Sequence, residues 1–565
     1  MRWISREPAD SDKATALADS LGVSLPIAQL LLQRGIEDFD SAKAFFRPQF
    51  SQLHHPFAMK DMDKAVSRIL EALSLEESIL VYGDYDVDGT TAVALMSSFL
   101  SEQSDRISSY IPDRYKEGYG ISFQGIDYAF EHNIKLIIAL DCGIKAVDKV
   151  AYAKEKGIDF IICDHHRPGT QIPNAEAILN PKQIDCNYPY KELCGCGIGF
   201  KLIQALGEEL GLDEGDLIPY LDLVATAIGA DIVPLDGENR ILASLGLEQL
   251  NSNPRPGFKA IIDQVAIEQL SLSNVIFIIA PRINAAGRMN HGSQAVELLV
   301  EKNLSKAKIL SSKIEQNNTE RRSVEAKITQ EALDQISANK EEETSTTVVY
   351  QEHWHKGVIG IVASRLIESY YRPTLVFTKS GDKLAASARS INGFDIYRAI
   401  DACSDHLIQF GGHKYAAGVT LKEEQYPDFK NAFEEYVSKH LDPELKTPST
   451  VVDLELNFED ISPKFYRILK QFAPFGPENW APNFITKGVQ DSGYVKTVGE
   501  EGTHLKATFT QDNAYKIDAI GFNLGHHLKL LTGRKKVDIV YSLDHNTWQG
   551  TTKLQLKLKD LKERN

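Results

Sequence analysis

Three carboxylates stand on alternate residues in ILVYGDYDVDGTTA (79–92), where an apolar run stops: Asp84, Asp86 and Asp88. Two more apolar runs end in the same way. IKLIIALDCG closes on Asp141, and IDFIICDHH closes on Asp164, His165 and His166. Ionised oxygens with one or two imidazoles suit manganese or magnesium better than a metal that prefers thiolates. Without a cation, such carboxylates brought close would repel strongly. A single D-x-D is most often a solvated turn, because Asp is common in turns, and an isolated His-His pair is most often structural. The conjunction of three acidic strand ends carries the reading.

That conjunction needs a fold in which the three ends meet. Between residues 60 and 245, the apolar runs SILVYGD, IKLIIALDCG, IDFIICDHH and AEAILNP alternate with helical patterns such as TAVALMSSFLSEQ and AVDKVAYAKEKG. This is the signature of a parallel sheet with crossover helices, in which ligands gather at the carboxyl ends of the strands. If the first strand persists, Asp84, Asp86 and Asp88 face one side. If it is already turning, Gly83 and Gly89 supply the freedom. Thr90 and Thr91 then sit near a helix N-terminus, where backbone N–H groups can meet a phosphate.

A chain of 565 residues exceeds one ordinary core, so three or four domains are expected. Residues 1–50 read as a helical segment, 51–250 as the parallel-sheet domain and 251–342 as a helical region. Within that region, 304–340 lack Pro and Gly and predict one long helix, either a connector between domains or a helix packed on one of them. A second α/β pattern fills 343–447, with TLVFTKSGDKLAASARS as a hairpin. Residues 448–565 alternate in polarity (HLKATFTQ, YKIDAIGFN, VDIVYSL, KLQLKLKDL) and predict a small barrel. The barrel has no candidate metal ligand and is expected to serve long single strands more than catalysis.

The net charge of −16 argues mildly against nucleic acid as a partner, although a local basic groove matters more than the total. No apolar run is long enough to cross a bilayer, and the polar start MRWISREPADSDK has no signal core, so no membrane and a cytoplasmic location are expected. Cys142, Cys163, Cys186, Cys194, Cys196 and Cys403 are then expected to be reduced. LCGCGIGF reads as a glycine-rich turn entering a helix, since C-x-C with one distant cysteine is not a usual zinc spacing.

GDYDVDG, ALDCG and DHH, in this order, resemble the first three motifs of the DHH phosphoesterase superfamily, and LDLVATAIGADIVPL resembles the fourth. PRINAAGR (281–288), SARS (387–390), GGHKYAAG (411–418) and FAPFGPENWAP (472–482) are similar to motifs of its branch that degrades single-stranded DNA. The resemblance implies an α/β fold: a parallel-sheet DHH domain joined by a long helix to a DHH-associated α/β domain, then a C-terminal oligonucleotide-binding barrel. It also implies two divalent cations, Mn2+ or Mg2+. Their ligands would be Asp86, Asp88, Asp141 as the bridge, His165 and Asp231, with Asp84 assisting directly or through water. His166 would be a ligand or contact the scissile phosphate, and Asp164 would orient a neighbouring histidine. Some members carry a histidine near the start of the first motif, where this chain has Tyr82. Asp222 is a rival to Asp231.

Arginine forks, exposed glycine N–H groups and histidine can each hold phosphate. The resemblance assigns Ser387, Arg389, Gly411, Gly412 and His413, with Arg114, Arg282, Asn284 and Arg288, to a pocket for a 5′-terminal phosphate. The implied activity is 5′→3′ exonuclease action on single-stranded DNA, releasing 5′-mononucleotides in repair and recombination. A single-strand-binding protein and a helicase are the implied partners. Two alternatives are a DHH-type phosphoesterase for short oligonucleotides or cyclic dinucleotides, and a scaffold that has lost its metals. The extra barrel speaks against the first alternative, and the filled motif positions speak against the second.

Overall fold

The computed structural model describes every residue except 513, 534, 549, 550 and 565, five positions of the expected final domain that lie outside the described residues. The chain divides into two compact bodies. The larger holds Trp3–Pro112, Tyr119–Ala280 and Thr450–Asn565; the smaller holds Met1–Arg2, Asp113–Gly118 and Pro281–Ser449.

In the larger body, five strands form one sheet: β1 (Ser78–Gly83), β2 (Ile107–Tyr110), β3 (Ile134–Leu140), β4 (Asp159–Cys163) and β5 (Ala177–Leu179). The order is β2-β1-β3-β4-β5 and every pairing is parallel. The central strands are buried almost throughout, as expected of a sheet covered on both faces. ISSY (107–110), the β2 edge, is too short and polar to show an apolar run. Helices α1 (Val87–Leu100), α2 (Gly195–Leu210), α3 (Leu221–Asp231) and α4 (Gly237–Ser252) follow along the chain.

The barrel closes on itself. Phe484–Asp491, Val537–Trp548, Thr551–Glu563, Tyr515–Gly521 and His504–Gln511 pair in that order, and Gln490↔Thr510 brings the last strand back to the first. Five strands in closed pairing are the pattern of the oligonucleotide-binding fold. The helices Ser11–Leu21, Leu25–Leu32 and Phe39–Phe46 do not stand apart from it. Ile27, Leu30 and Leu31 share one hydrophobic cluster with Phe465, Phe484, Leu505 and Tyr541. The N-terminal segment also begins with a strand, Arg2–Ser5. Among the described residues, no single helix is long and apolar enough to cross a membrane.

The smaller body has a mixed sheet of β6 (Thr347–Tyr350), β7 (Thr374–Ser380), β8 (Lys383–Arg389), β9 (Gln409–His413) and β10 (Ala416–Leu421). Its order is β9-β10-β8-β7-β6, with only β6–β7 parallel. The long helix α5 spans Leu304–Ala338. Its last turns are built into this body's core: Ile328, Ala332 and Ile336 pack with Val349, Trp354 and Ile359, the first residue of α6 (Ile359–Ser369).

Candidate active site

Strand β1 stops at Gly83, one residue before the first carboxylate. Asp86 is already the N-cap of α1, accepting the Gly89 N–H at 3.0 Å, and Asp88 lies in the first helical turn. The alternation of the three aspartates is therefore not that of a strand. Gly83 and Gly89 have ordinary backbone angles. Gly89 is needed for close approach, since a Cβ there would lie 2.5 Å from the Asp84 carbonyl oxygen. Thr90 and Thr91 are fully buried in the first turns of α1, and the N–H groups there are already taken, Gly89 by the Asp86 carboxylate and Thr90 by the Asp86 carbonyl at 2.9 Å, which corrects the expectation that N–H groups at this helix start meet a phosphate.

Asp88 turns inward onto the start of α2. Its two oxygens accept the N–H groups of Gly195 and Cys196, each at 2.7 Å, so a helix N-terminus faces the carboxylate. LCGCGIGF thus forms the expected turn into a helix, capped by Cys194. Asp141 follows β3 in the left-handed region at φ 58°, a conformation Asp tolerates better than most residues. Gly195 lets α2 approach it, because a Cβ there would lie 2.5 Å from the Asp141 Cβ.

His165 is the hub. Its Nε2 lies 3.2 Å from Asp141 Oδ1, 3.6 Å from Asp231 Oδ2 and 3.9 Å from Asp88 Oδ2. Two constellations have spacing suited to an ion: Asp141 with His165 and His166, and Asp88 with His165 and Asp231. Asp84 and Asp86 stand outside both. Asp84 is buried and accepts the Gly120 N–H at 3.3 Å. Asp222 is committed elsewhere, in a buried pair with Arg255 at 2.9 Å. Asp164 binds His166 Nδ1 at 2.7 Å and its backbone N–H at 3.0 Å. Tyr82 lies within the sheet, its hydroxyl donating to the Gly120 carbonyl at 3.0 Å.

Sequence reasoning missed Tyr119, in the same PDRYKEGYG run as Arg114. Its hydroxyl lies 3.3 Å from His166 Nε2 and 3.3 Å from the Asp141 carbonyl oxygen. His166 is thereby held at both ring nitrogens.

The electrostatics follow from burial. Desolvation first, then the charge of Asp86, pushes Asp88 up to about 7 against the pull of the two amides. Asp141 is pushed well above the usual carboxylate range by burial and by Asp88, Asp86, Asp231 and Asp164. Asp231 is raised by burial, Asp88 and Asp86, with Lys182 opposing. Burial and then His166 lower His165 to about 3, so its imidazole is neutral. For His166, burial opposes the charged form, but the hydrogen bond and charge of Asp164 outweigh it and the pKa rises. Asp141 Oδ1 is buried and accepts no hydrogen bond from the described residues. Crowded carboxylates, a neutral imidazole and a buried acceptor without a donor are the donor set of a hard divalent cation.

The smaller body carries a second constellation. Register places Arg389 (β8), Ala416 (β10) and His413 (β9) in one row, and Ser387, Gly418 and Gly411 in the next row on the same face. Positions 411 and 418 open onto free space. The Arg389 guanidinium donates to Ser387 Oγ at 3.1 Å and to the Ala388 carbonyl at 2.8 Å. Burial lowers its pKa, and among the described residues no carboxylate pairs with it. Gly360, in the first turn of α6, lies against both Ser387 and Arg389. Gly412, at φ 149°, has no room for a Cβ against the Ala416 carbonyl.

Arg282 and Arg288 do not join this strip as free cations. Arg282 is buried against Glu315 at 2.6 Å, and Arg288 donates to the Gly357 carbonyl at 2.7 Å. Arg114 and Asn284 are half-buried in the same body.

Three family models match in chain order: the DHH family N-terminal domain over 78–228, the DHHA1 domain over 343–439 and the RecJ OB domain over 452–560. The single-stranded-DNA-specific exonuclease RecJ of Bacillus subtilis is 39% identical over 99% of this chain and 70% of its own length. That of Salmonella typhimurium is 36% identical over 89% of this chain and 90% of its own. A crystal structure of RecJ from Thermus thermophilus with Mn2+ superposes with a TM-score of 0.86 at 26% identity, covering 100% of this chain and 80% of that one. Its Mg2+ complex gives 0.79 at 25% identity, with 100% and 79% coverage. With the acid cluster, the cation strip and the closed barrel in this order, the chain belongs to the RecJ family of single-stranded-DNA-specific exonucleases.

Proposed function

We propose that this protein removes nucleotides from the 5′ end of single-stranded DNA, with Asp88, Asp141, His165 and Asp231 holding divalent cations, Mn2+ or Mg2+. The observation that carries the reading is the set of buried carboxylates gathered round a neutral His165. When bound, such cations supply positive charge against the phosphoryl oxygens and acidify a water for attack at phosphorus. Asp141, a member of one constellation and in contact with the hub of the other, is the natural bridge. Asp86, at the start of α1, and the buried Asp84 flank this set and can assist it directly or through water. Asp164 and Tyr119 fix the His166 ring, which can meet the scissile phosphate or serve as a ligand.

Direction comes from the cation strip. A terminal phosphate carries roughly one more negative charge than an internal phosphodiester. Arg389, unopposed by a carboxylate among the described residues, with Ser387, His413 and the uncrowded backbone at Gly411 beside Gly412, favours that extra charge. The closed barrel supplies a surface for the rest of the strand. We assign 51–250 to chemistry, 251–342 to a helical link, 343–447 to the phosphate end, 448–565 to the strand and 1–50 to support of the barrel. A single-strand-specific enzyme needs duplex to be opened first, so a helicase and a single-strand-binding protein are fitting partners in repair and recombination. Six buried cysteines outside any disulfide fit the cytoplasm.

Manganese-dependent digestion of end-labelled DNA tests the reading. Mononucleotides should appear from the 5′ end of single strands, and duplex should survive. Release from the 3′ end, or equal digestion of duplex, would overturn it.

A further inference from the structure

FAPFGPENWAP (472–482) contains none of the residues assigned to chemistry, yet its backbone is gripped more tightly than any surface loop requires. Arg240, on α4 and almost fully buried, points its guanidinium into this segment. It donates to the Phe472 carbonyl at 2.9 Å, to that of Ala473 at 3.1 Å and, across the gap, to that of Phe45 at 3.1 Å. Its flat face lies 3.6 Å from the centre of the Phe45 ring. Asn479, also buried, ties the segment to itself through the Phe472 and Pro474 carbonyls. It accepts Arg34 Nε at 2.7 Å.

The other side of this buckle meets the chain just beyond Asp231. Helix α3 ends at Asp231, and Ile232 turns left-handed at φ 59°. Leu235 then donates its N–H to the Pro477 carbonyl at 2.8 Å. Its side chain lies against Gly476, where a Cβ would come within 2.7 Å. Asp231 is thus the last residue of a helix whose exit is fastened to the barrel's approach segment, with Arg240 anchoring that segment only a few residues downstream.

We infer that the FAPFGPENWAP buckle positions Asp231 through Leu235 and Arg240, so that the barrel's lead-in segment sets the affinity of the metal centre. The inference rests on the metal reading above. Arg240, Gly476 and Leu235 are positioning residues in this sense, since none touches the cluster. On this inference the tail, expected to serve long strands more than catalysis, also bears on the metal centre: removing 448–565 takes away the anchor of the Asp231 loop and most of the core shared with the N-terminal helices.

The test is manganese titration of the metal-free full-length protein, following free Mn2+ by its electron paramagnetic resonance, with thermal unfolding of the same samples. Arg240→Lys keeps the charge but loses the planar fork. Gly476→Ala adds one methyl against Leu235 without touching α3 or α4. Both should weaken manganese binding by the folded protein by about tenfold, the range for groups that orient a ligand from behind, when titrated well below each variant's own thermal midpoint, which Arg240→Lys lowers because buried carbonyls lose their donors. A purely structural role predicts a lowered midpoint with unaltered affinity in the folded protein, and that result overturns the inference. If Arg240→Lys fails to fold, Gly476→Ala decides alone. Failure of the parent itself to bind manganese would overturn the underlying metal reading instead.

Discussion

The acid cluster of the larger body and the cation strip of the smaller body are opposite uses of a sheet. In the first, β1, β3 and β4 run parallel and stop side by side, so chain ends from distant sequence collect their charges in one buried place. Repulsion there is a consequence of topology, and protons relieve it when cations do not. In the second, β8, β10 and β9 are antiparallel, and the charges stand in rows across one face of the sheet, covered by α6 at Arg389 and open at Gly411 and Gly418. Glycine and alanine clear the space between Arg389 and His413. The cluster should therefore answer to metal and pH, and the strip to the charge on the DNA end.

The sharpest way to break this comparison is at Asp141. Asp141→Asn keeps the size and tolerates the left-handed backbone. It should lower hydrolysis by more than about a hundredfold, beyond the loss typical of groups that only orient a ligand. Manganese binding should fall with it, as read by calorimetric titration. The metal-free protein should melt at a higher temperature, because one buried carboxylate is gone. Retention of more than a few per cent of the parent rate at saturating manganese would remove Asp141 from the bridging role.

Arg389→Ala is the matching break in the strip. A charge-assisted hydrogen bond contributes about 1.5–3 kcal/mol, so the preference for 5′-phosphorylated over 5′-hydroxyl strands should shrink by about tenfold or more. Manganese affinity should not change. Single-turnover digestion of both substrates by both proteins measures the difference, and an unchanged preference would place the phosphate pocket elsewhere.

A pH series separates the regions further. Asp88 is raised from the usual carboxylate range to about 7 in the folded metal-free protein. A raised acid makes the folded state bind the extra proton, so its contribution is fully present below the unfolded value near 4 and is lost as pH rises through about 7. Thermal unfolding without metal should show this loss, Asp88→Asn should flatten it, and saturating manganese should reverse it. Arg389→Ala should leave the profile alone. The same slope in Asp88→Asn as in the parent would show that other groups set the pH dependence.

The sequence made the parallel sheet and its three acidic ends legible, because apolar runs that stop at Asp are a local pattern. The barrel strands were legible for the same reason. Where two chain segments compete for one group, local pattern fails. Asp222 and Asp231 share a helix, and only Arg255, 33 residues from Asp222, shows which of them is occupied. Alternation in GDYDVDG left a strand face and a turn both open, and capping by Asp86, which starts a helix there, decides for the turn. Residues 1–50 read as independent helices because their partners lie more than 400 residues away. Tyr119 carried no signal beyond its place in a glycine-rich run; its contact with His166 depends on how the chain returns to the strand ends.

The smallest expected effect concerns that tyrosine, and it sharpens the comparison inside the cluster. His166 is held at Nδ1 by Asp164, with Tyr119 at Nε2, whereas among the described residues Arg389 is steadied by oxygens of its own strand. Tyr119→Phe removes one hydroxyl and leaves the ring, which packs edge-on to His166 at 6.0 Å between centroids. Loss of one neutral hydrogen bond costs about 0.5–1.5 kcal/mol, so kcat should fall by roughly two- to tenfold. KM should hold if the hydroxyl acts only by aligning the imidazole, because the strand is bound elsewhere. Steady-state kinetics on a 5′-phosphorylated single strand give both constants. A rise in KM with kcat unchanged would make Tyr119 a contact to the DNA, and a loss approaching that of Asp141→Asn would make its hydroxyl part of the reaction itself.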